Sequence, residues 1–154
     1  MLFRNTFSVL AMIMMATLAH AEMHLQSGHV RAMPPGQPNT AAFLVLMNHS
    51  DKAVTLVAAK TSAAKKAEFH NHIKDDKGMM RMRAVEKIEI PAGGQFEFKS
   101  GSHHVMLMGL NTPLKPKQYV ALTLIDDAKN EYTFELPVKS LIAKQEHHGH
   151  HHHH

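Results

Sequence analysis

Four side chains with metal-binding chemistry stand at defined spacings between residues 70 and 106. They are His70, Met82, His104 and Met106, with eleven residues between His70 and Met82 and twenty-one between Met82 and His104. The chain contains no cysteine. Imidazole nitrogens combined with soft thioether sulfurs suit copper, and Cu(I) in particular. The residue types therefore predict a copper site made of histidine and methionine.

Apolar and polar residues alternate along the chain with a period close to two, which predicts short strands. These strands must position the four residues. The predicted strands cover residues 41–47, 54–59, 68–73, 79–85, 95–99, 105–110, 119–125 and 132–138. Turn-forming residues such as Pro91-Ala92-Gly93-Gly94 separate them. We expect the first two strands to pair as a hairpin across residues 48–51, and residues 61–67 to form the chain's one helical turn. This pattern predicts an all-β sandwich or barrel.

Residues two apart on a strand share a face, and this places the ligand-type residues away from the core. The shared faces carry His70 with His72, Met80 with Met82, and His104 with Met106 and Met108. The opposite faces carry expected core residues, namely Phe69, Ile73, Val105 and Leu107. Met80 and Met108 are predicted to form an outer sulfur shell. Methionine also fills cores, so packing is the alternative for every methionine in this set.

The N-terminus has the features of an export signal. Arg4 begins it, an apolar run covers residues 7–18, and Ala19-His20-Ala21 offers a cleavage site. Residues 1–21 are therefore predicted to be a signal peptide without a lipoprotein cysteine or twin arginine. Residues 22–144 are predicted to form one domain, and no later segment approaches the ~20 apolar residues of a membrane span. We expect a periplasmic protein.

Several classes of protein do not fit the composition. The net charge of +4 comes from interspersed acidic and basic residues, and the chain has no tryptophan, so a nucleic-acid surface is not expected. Without cysteine there can be no disulfide and no blue-copper site, which needs a thiolate. The chain has no HExxH motif and no sequence context for a Ser-His-Asp triad. We therefore do not expect an enzyme.

The last ten residues form a separate histidine-rich tail, residues 145–154. Seven of its last eight residues are histidine, and such a tract is expected to be disordered with affinity for Cu(II) or Zn(II). His147, His148 and His150 are the candidate ligands, and His24 is expected to join them. The alternative is a purification tag for the final five histidines. Surface histidines such as His49 are expected to have no special role.

The motifs together resemble the periplasmic copper chaperone family PCuAC. They are His70-Asn71-His72, Gly78-Met79-Met80-Arg81-Met82-Arg83, Ile90-Pro91-Ala92-Gly93-Gly94 and His104-Val105-Met106-Leu107-Met108-Gly109-Leu110, with a similar early segment at residues 31–36 and 41–43. The resemblance implies a cupredoxin-like Greek-key β-barrel of one domain. It also implies one Cu(I) held by His70, Met82, His104 and Met106. His72 replaces a methionine of many relatives and is expected to be either solvated or an exchange ligand, with the solvated state preferred.

The resemblance further implies a function in copper delivery. Relatives of this type supply copper for cytochrome c oxidase assembly together with thiol-bearing Sco-type proteins, so the expected acceptor is an oxidase subunit or a Sco-type protein. From the residues alone, a periplasmic copper buffer or resistance protein explains the site equally well. A third possibility is a β-sandwich interaction module without metal.

Overall fold

The structure is a computed structural model that describes residues 22–140. Ten strands and no helix are found in this part of the chain. The strands are β1 Met23–Arg31, β2 Asn39–Asn48, β3 Val54–Thr61, β4 Ala64–Lys74, β5 Met80–Ala84, β6 Ile88–Ile90, β7 Gln95–Phe98, β8 His104–Leu110, β9 Tyr119–Asp126 and β10 Glu131–Lys139. The predicted signal peptide (residues 1–21) and histidine-rich tail (residues 145–154) lie outside the described residues.

Seven of the strands form a closed barrel in the order β4-β8-β2-β1-β10-β9-β3. The ring closes where β3 meets β4, with Ala59 opposite Ala67. Strands β5, β6 and β7 extend the barrel by pairing with β4, β3 and β2. Only β1 and β10 run parallel among the described pairs. The prediction of an all-β barrel is confirmed.

The barrel core consists of the inward faces of these strands. Its largest side chains below 2% exposure are Phe98, Leu44, Leu46, Leu56, Ile90, Leu107, Leu122, Leu124, Leu136, Val30 and Val105. Phe69 is also buried, as expected. The prediction for Ile73 is wrong, because its side chain is 44% exposed. At that point β4 has passed the end of β8 and pairs only with β5, so no second layer covers it.

Two local predictions are also wrong, and two strands were missed. Strands β2 and β3 do not form a hairpin, since β2 pairs with β1, β7 and β8 while β3 pairs with β4, β6 and β9. Residues 61–67 contain no helical turn, because β3 ends at Thr61 and β4 begins at Ala64. Strands β1 and β6 were not predicted. β1 carries polar residues on both faces and β6 has three residues, so neither shows a long apolar alternation.

The connection between β2 and β3 is held by the fully buried Asn48. Its Nδ2 donates to the carbonyl oxygens of Lys52, Ile90 and Pro91 at 2.7, 3.2 and 3.1 Å. Its Oδ1 accepts from the Ser50 backbone N–H at 3.0 Å and from the Ser50 hydroxyl at 2.7 Å. One side chain therefore ties the end of β2 to two other parts of the barrel.

Asn48→Ala is expected to lower the free energy of unfolding by about 3 kcal/mol, because each buried polar group left unpaired costs about 1–3 kcal/mol. Chemical denaturation of the metal-free protein measures the change. Ser50→Ala removes only the hydroxyl that Asn48 Oδ1 and the Lys52 carbonyl oxygen share as acceptors, and it should cost about 1 kcal/mol. Equal effects of the two substitutions would contradict the role given to Asn48.

Candidate metal centre

Three neighbouring strands bring the predicted ligands onto one face of the sheet. Strand β4 lies between β5 and β8. On one side His72 stands directly opposite Met82, and on the other His70 stands directly opposite His104. Met106 follows two residues after His104 and so shares its face. The face that the strand period predicted is thus assembled from three segments.

An open cleft of about 190 Å³ lies on this face. Three of the four predicted ligands line it, namely Met82, His104 and Met106, and His72 lines it as well. The remaining walls come from Arg31, Met33, Asn39, Thr40, Ala41, Phe43, Ser100 and Gly101. His70 stands beside the cleft, with its ring centroid 5.8 Å from that of His104.

His104 presents one ring nitrogen without a partner. The residue is 2% exposed, and its Nδ1 lies 3.1 Å from the Ser102 carbonyl oxygen, so Nδ1–H is the donor. Its Nε2 is buried and has no hydrogen-bond partner. Burial, with a smaller contribution from neighbouring positive charge, lowers the pKa of His104. The ring is therefore neutral at neutral pH, with the Nε2 lone pair free to bind.

His70 is oriented by a carboxylate on the same strand. Its Nε2 lies 3.0 Å from Oε2 of Glu68, whereas its Nδ1 is buried without a partner. Lys66 forms an ion pair with the other oxygen of that carboxylate. Hydrogen bonds from Lys66 and then His70 lower the pKa of Glu68. Because Glu68 is charged it accepts the Nε2–H of His70, which leaves Nδ1 as the donor atom toward a metal.

The spacing of the rings matches shared coordination of one ion. Two imidazoles whose nitrogens lie about 2.0–2.1 Å from an ion have ring centroids roughly 5–6 Å apart. The centroids of His70 and His72 lie 5.8 and 5.2 Å from that of His104. In residues 22–140, no three histidine, aspartate or glutamate side chains are arranged to hold an ion by themselves. Met82 and Met106, which line the cleft, offer thioether sulfur beside these rings.

His72 is not freely solvated. It lines the cleft, and its Nδ1 is buried without a hydrogen-bond partner. The preference for a solvated His72 is therefore wrong: pairing with Met82 on β5 and packing near His104 turn the ring inward.

The remaining methionine candidates lie outside the cleft. Met80 is 59% exposed and stands opposite Lys74, two cross-strand pairs beyond His72 and Met82. Met108 stands opposite Lys66, beyond Met106. Neither side chain lines the cleft. The tail candidates His147, His148 and His150 lie outside the described residues.

A tight hairpin carries Met82 on β5. Asp75 organises its turn, since Oδ1 accepts from the backbone N–H groups of Lys77 and Met79, both at 2.9 Å. Oδ2 accepts from Nε of Arg81 at 2.6 Å. Gly78 has a φ of +79°, a conformation that L side chains rarely adopt. These contacts determine where the exposed edge strand, and with it Met82, sits against β4.

Two residues of the cleft were missed from the sequence. Met33 adds a further thioether to the wall, and Arg31 adds a positive charge 4.9 Å from the ring centre of Phe43. The Nε of Arg31 is buried without a partner. Arg31 is the last residue of β1 and Met33 follows two residues later. Neither position could be placed from the sequence, because β1 shows no clear strand pattern. The position of Met33 at the start of the proline-rich loop was the available signal.

This chain is similar in sequence to one described protein family and to one bacterial protein. The family described as "Putative lipoprotein LpqE-like" matches residues 23–138. The protein described as "Putative lipoprotein Lxx21020" of Leifsonia xyli subsp. xyli (strain CTCB07) is 30% identical over 112 residues, which cover 73% of this chain and 68% of that protein. The family match begins with β1 and ends one residue before the end of β10.

Solved structures share the barrel. Apo-DR1885 from Deinococcus radiodurans is 30% identical, with 92% of this chain and 94% of that chain covered and a TM-score of 0.61. The CuI-DR1885 structure is 32% identical, with 83% of both chains covered and a TM-score of 0.60. The copper-bound PCuAC domain from PmoF2 is 17% identical, covers 79% of this chain and 96% of its own, and has a TM-score of 0.64, which shows the fold alone. The expected cupredoxin-like barrel is confirmed, and the chain belongs to the LpqE-like family with the fold of PCuAC domains.

Proposed function

We propose that this protein is a copper carrier that binds one Cu(I) at the cleft and passes it to an acceptor protein. The observation that carries the proposal is the set of buried, unpartnered imidazole nitrogens on His70, His72 and His104, beside thioethers that line the same cleft. The name of CuI-DR1885, which is 32% identical to this chain, supports the choice of metal.

The proposed ligands are His70 through Nδ1, His104 through Nε2, and the sulfurs of Met82 and Met106. The two hydrogen bonds described above leave those nitrogens free, and thioethers bind without losing a proton. His72 is proposed as an exchange ligand, because it lies between Met82 and His104 on the cleft wall. The metal is the cargo of the protein, and no bond of a substrate is made or broken.

The exposure of one proposed ligand to solvent favours release of the copper ion as well as its binding. Met82 is 43% exposed, so an incoming ligand can replace its sulfur from solvent. Cysteine thiolates are soft ligands that bind Cu(I) strongly. A thiol-bearing acceptor could therefore take the ion without unfolding the donor.

The proposed acceptor is a Sco-type protein or a copper subunit of cytochrome c oxidase, as the family resemblance implies. We also propose export to the periplasm after removal of residues 1–21. The similarity to proteins named as lipoproteins supports a location at the cell envelope. No helix within residues 22–140 is long and apolar enough to cross a membrane.

A competitive Cu(I) titration tests the binding step. The protein comprises residues 22–154 with the seven tail histidines replaced by serine, and a chromophoric Cu(I) chelator is the competitor. We expect one tight equivalent of Cu(I). The absence of a tight equivalent would contradict the proposal and favour an interaction module without metal.

A gene deletion tests the delivery step. Loss of cytochrome c oxidase activity that the native gene restores, and the Met82→Leu gene does not, would support delivery. Copper sensitivity with normal oxidase activity would contradict delivery and favour a buffer.

Glu68→Gln is expected to weaken Cu(I) binding by roughly tenfold or more, as is usual for loss of a partner that orients a ligating histidine. The neutral amide no longer requires the Nε2–H tautomer of His70. The same titration measures the affinity, and imidazole ¹⁵N NMR of the metal-free protein reports the tautomer.

Glu135→Gln is the matched control, because Glu135 is exposed on β10, three strands away from β8 in the barrel. The Cu(I) affinity and the His70 tautomer of the Glu135→Gln variant should be unchanged. An unchanged affinity in the Glu68 variant would contradict the orienting role.

A further inference from the structure

Arg31 places a permanent positive charge in the wall of the copper cleft. It is the last residue of β1 and lines the cleft together with Met82, His104 and Met106. The Thr40 hydroxyl donates to the Arg31 carbonyl oxygen at 2.6 Å, so the backbone that carries the guanidinium is held against β2. An arginine side chain is not deprotonated in proteins. The positive charge is therefore a fixed feature of the cleft.

No carboxylate forms an ion pair with this guanidinium within residues 22–140. Its Nη2 lies 3.4 Å from the Ser100 hydroxyl, and its Nε is buried without a hydrogen-bond partner. The ion pairs in this part of the chain use other cationic side chains, namely His24, Lys60, Lys66, His70 and Arg81. Glu68, the carboxylate beside His70, is itself paired with Lys66. Arg31 therefore adds one unit of positive charge that no neighbouring carboxylate balances.

This charge acts on the proposed metal ligands. The guanidinium carbon of Arg31 lies 4.9 Å from the centre of the Phe43 ring, and the ring centroid of His104 lies 6.4 Å from the same centre. Burial is the main cause of the lowered pKa of His104, and Arg31 contributes through its positive charge, together with two neighbouring histidines. A metal ion bound to His104 would experience the same charge.

The donor atoms of the cleft do not by themselves exclude a doubly charged ion. The imidazoles of His70, His72 and His104 have buried ring nitrogens without partners. Imidazole suits copper in general, and Cu(II) is the strongest binder among the divalent first-row ions. The thioethers of Met82 and Met106 favour Cu(I), but they are uncharged, as the neutral imidazoles are. The proposed ligands therefore leave the full charge of the ion in place.

We propose, on the basis of the Cu(I) site proposed above, that Arg31 makes the cleft selective for singly charged ions over divalent ones. The Coulomb energy is proportional to the product of the two charges, so the guanidinium opposes Cu(II) twice as strongly as it opposes Cu(I) at the same position. The same reasoning applies to Zn(II). Selection by charge adds to selection by soft sulfur, and it persists when an incoming ligand replaces the exposed Met82.

Cu(I) and Cu(II) titrations of matched variants test this role. The protein comprises residues 22–154 with the seven tail histidines replaced by serine, and chelators of known affinity for each oxidation state are the competitors. Arg31→Gln should raise the Cu(II) affinity by roughly tenfold more than the Cu(I) affinity, the order expected for one unit charge at a partly screened distance from the ion. Cu(II) binding elsewhere in the chain is measured in the His104→Leu variant and subtracted.

Two further variants separate charge from packing. Arg31→Lys keeps the charge and should keep the ratio of the two affinities. Arg83→Gln is the matched control, because Arg83 is exposed on β5 and, as the immediate neighbour of Met82, faces the opposite side of the sheet. It removes the same charge from a position outside the cleft, so the ratio of the two affinities should again be unchanged.

Equal changes of both affinities in the Arg31→Gln variant, or the same altered ratio in the Arg31→Lys variant, would overturn selection by charge. Failure of the unsubstituted protein to bind Cu(I) tightly would contradict the proposed function and, with it, the role of Arg31. Tight Cu(I) binding with an unchanged ratio in the Arg31→Gln variant would contradict the role of Arg31 alone.

Discussion

Replacing Met82 and Met106 together by leucine should lower the Cu(I) affinity by at least roughly a hundredfold, because residues that merely support metal ligands already contribute about 10–100-fold. Leucine is nearly isosteric with methionine but offers no sulfur, so the substitution removes two donors without changing the packing volume. The competitive Cu(I) titration measures the affinity. Denaturation should show a change in unfolding free energy below about 1.5 kcal/mol.

The matched control is the pair Met79→Leu and Met80→Leu. These two side chains are 58% and 59% exposed, and neither lines the cleft. The control therefore deletes the same number of thioethers, both from the hairpin that carries Met82. Its affinity should stay close to that of the unsubstituted chain. Equal losses of Cu(I) affinity in both double variants would mean that Cu(I) binding does not depend on the two methionines that line the cleft.

His104→Leu should abolish tight Cu(I) binding without weakening the metal-free fold. The buried, unpartnered Nε2 of His104 is a group whose desolvation costs about 1–3 kcal/mol, and leucine removes that cost. The lost bond to the Ser102 carbonyl is worth about 0.5–1.5 kcal/mol. The free energy of unfolding should therefore stay the same or rise. A substitution that abolishes Cu(I) binding without lowering the free energy of unfolding would show that His104 serves metal binding and not stability.

Denaturation and Cu(I) titration of the same preparation provide the two measurements. His103→Leu is the control, because His103 packs against Phe96 with ring centroids 5.3 Å apart and does not line the cleft. It should retain the full Cu(I) affinity. A His104 variant that still binds one tight equivalent would remove this residue from the ligand set.

The faces of the site could be predicted from local sequence, because a strand alternates its side chains with a period of two. That rule placed Val105 and Leu107 in the core and turned His104 and Met106 away from it, as the structure has them. The same rule failed at Ile73. Whether an apolar residue is covered depends on a second layer of structure, and the alternation in β4 continues past the end of that layer.

The pairing of strands could not be predicted from neighbours in the chain. Strands β2 and β3 look like a hairpin because a turn-forming segment joins them, yet that segment crosses from one part of the barrel to another. Asn48 favours the crossing through bonds to residues 42 and 43 positions away. Contacts of that range leave no periodic signal in a single sequence.

The sequence by itself determined which atoms are available: imidazole and thioether, no thiolate, and an alternation that places them on outward faces of short strands. The tertiary structure decided which of them meet. It put β4 between β5 and β8, brought Met33 and His72 to the cleft, and left Met80 and Met108 outside it. The physical reason is that residue type and strand period are local properties. The closure of the barrel, which brings β4, β5 and β8 together, depends on residues far apart in the chain, whereas the hydrogen bonds that orient His70 and His104 come from residues only two positions away.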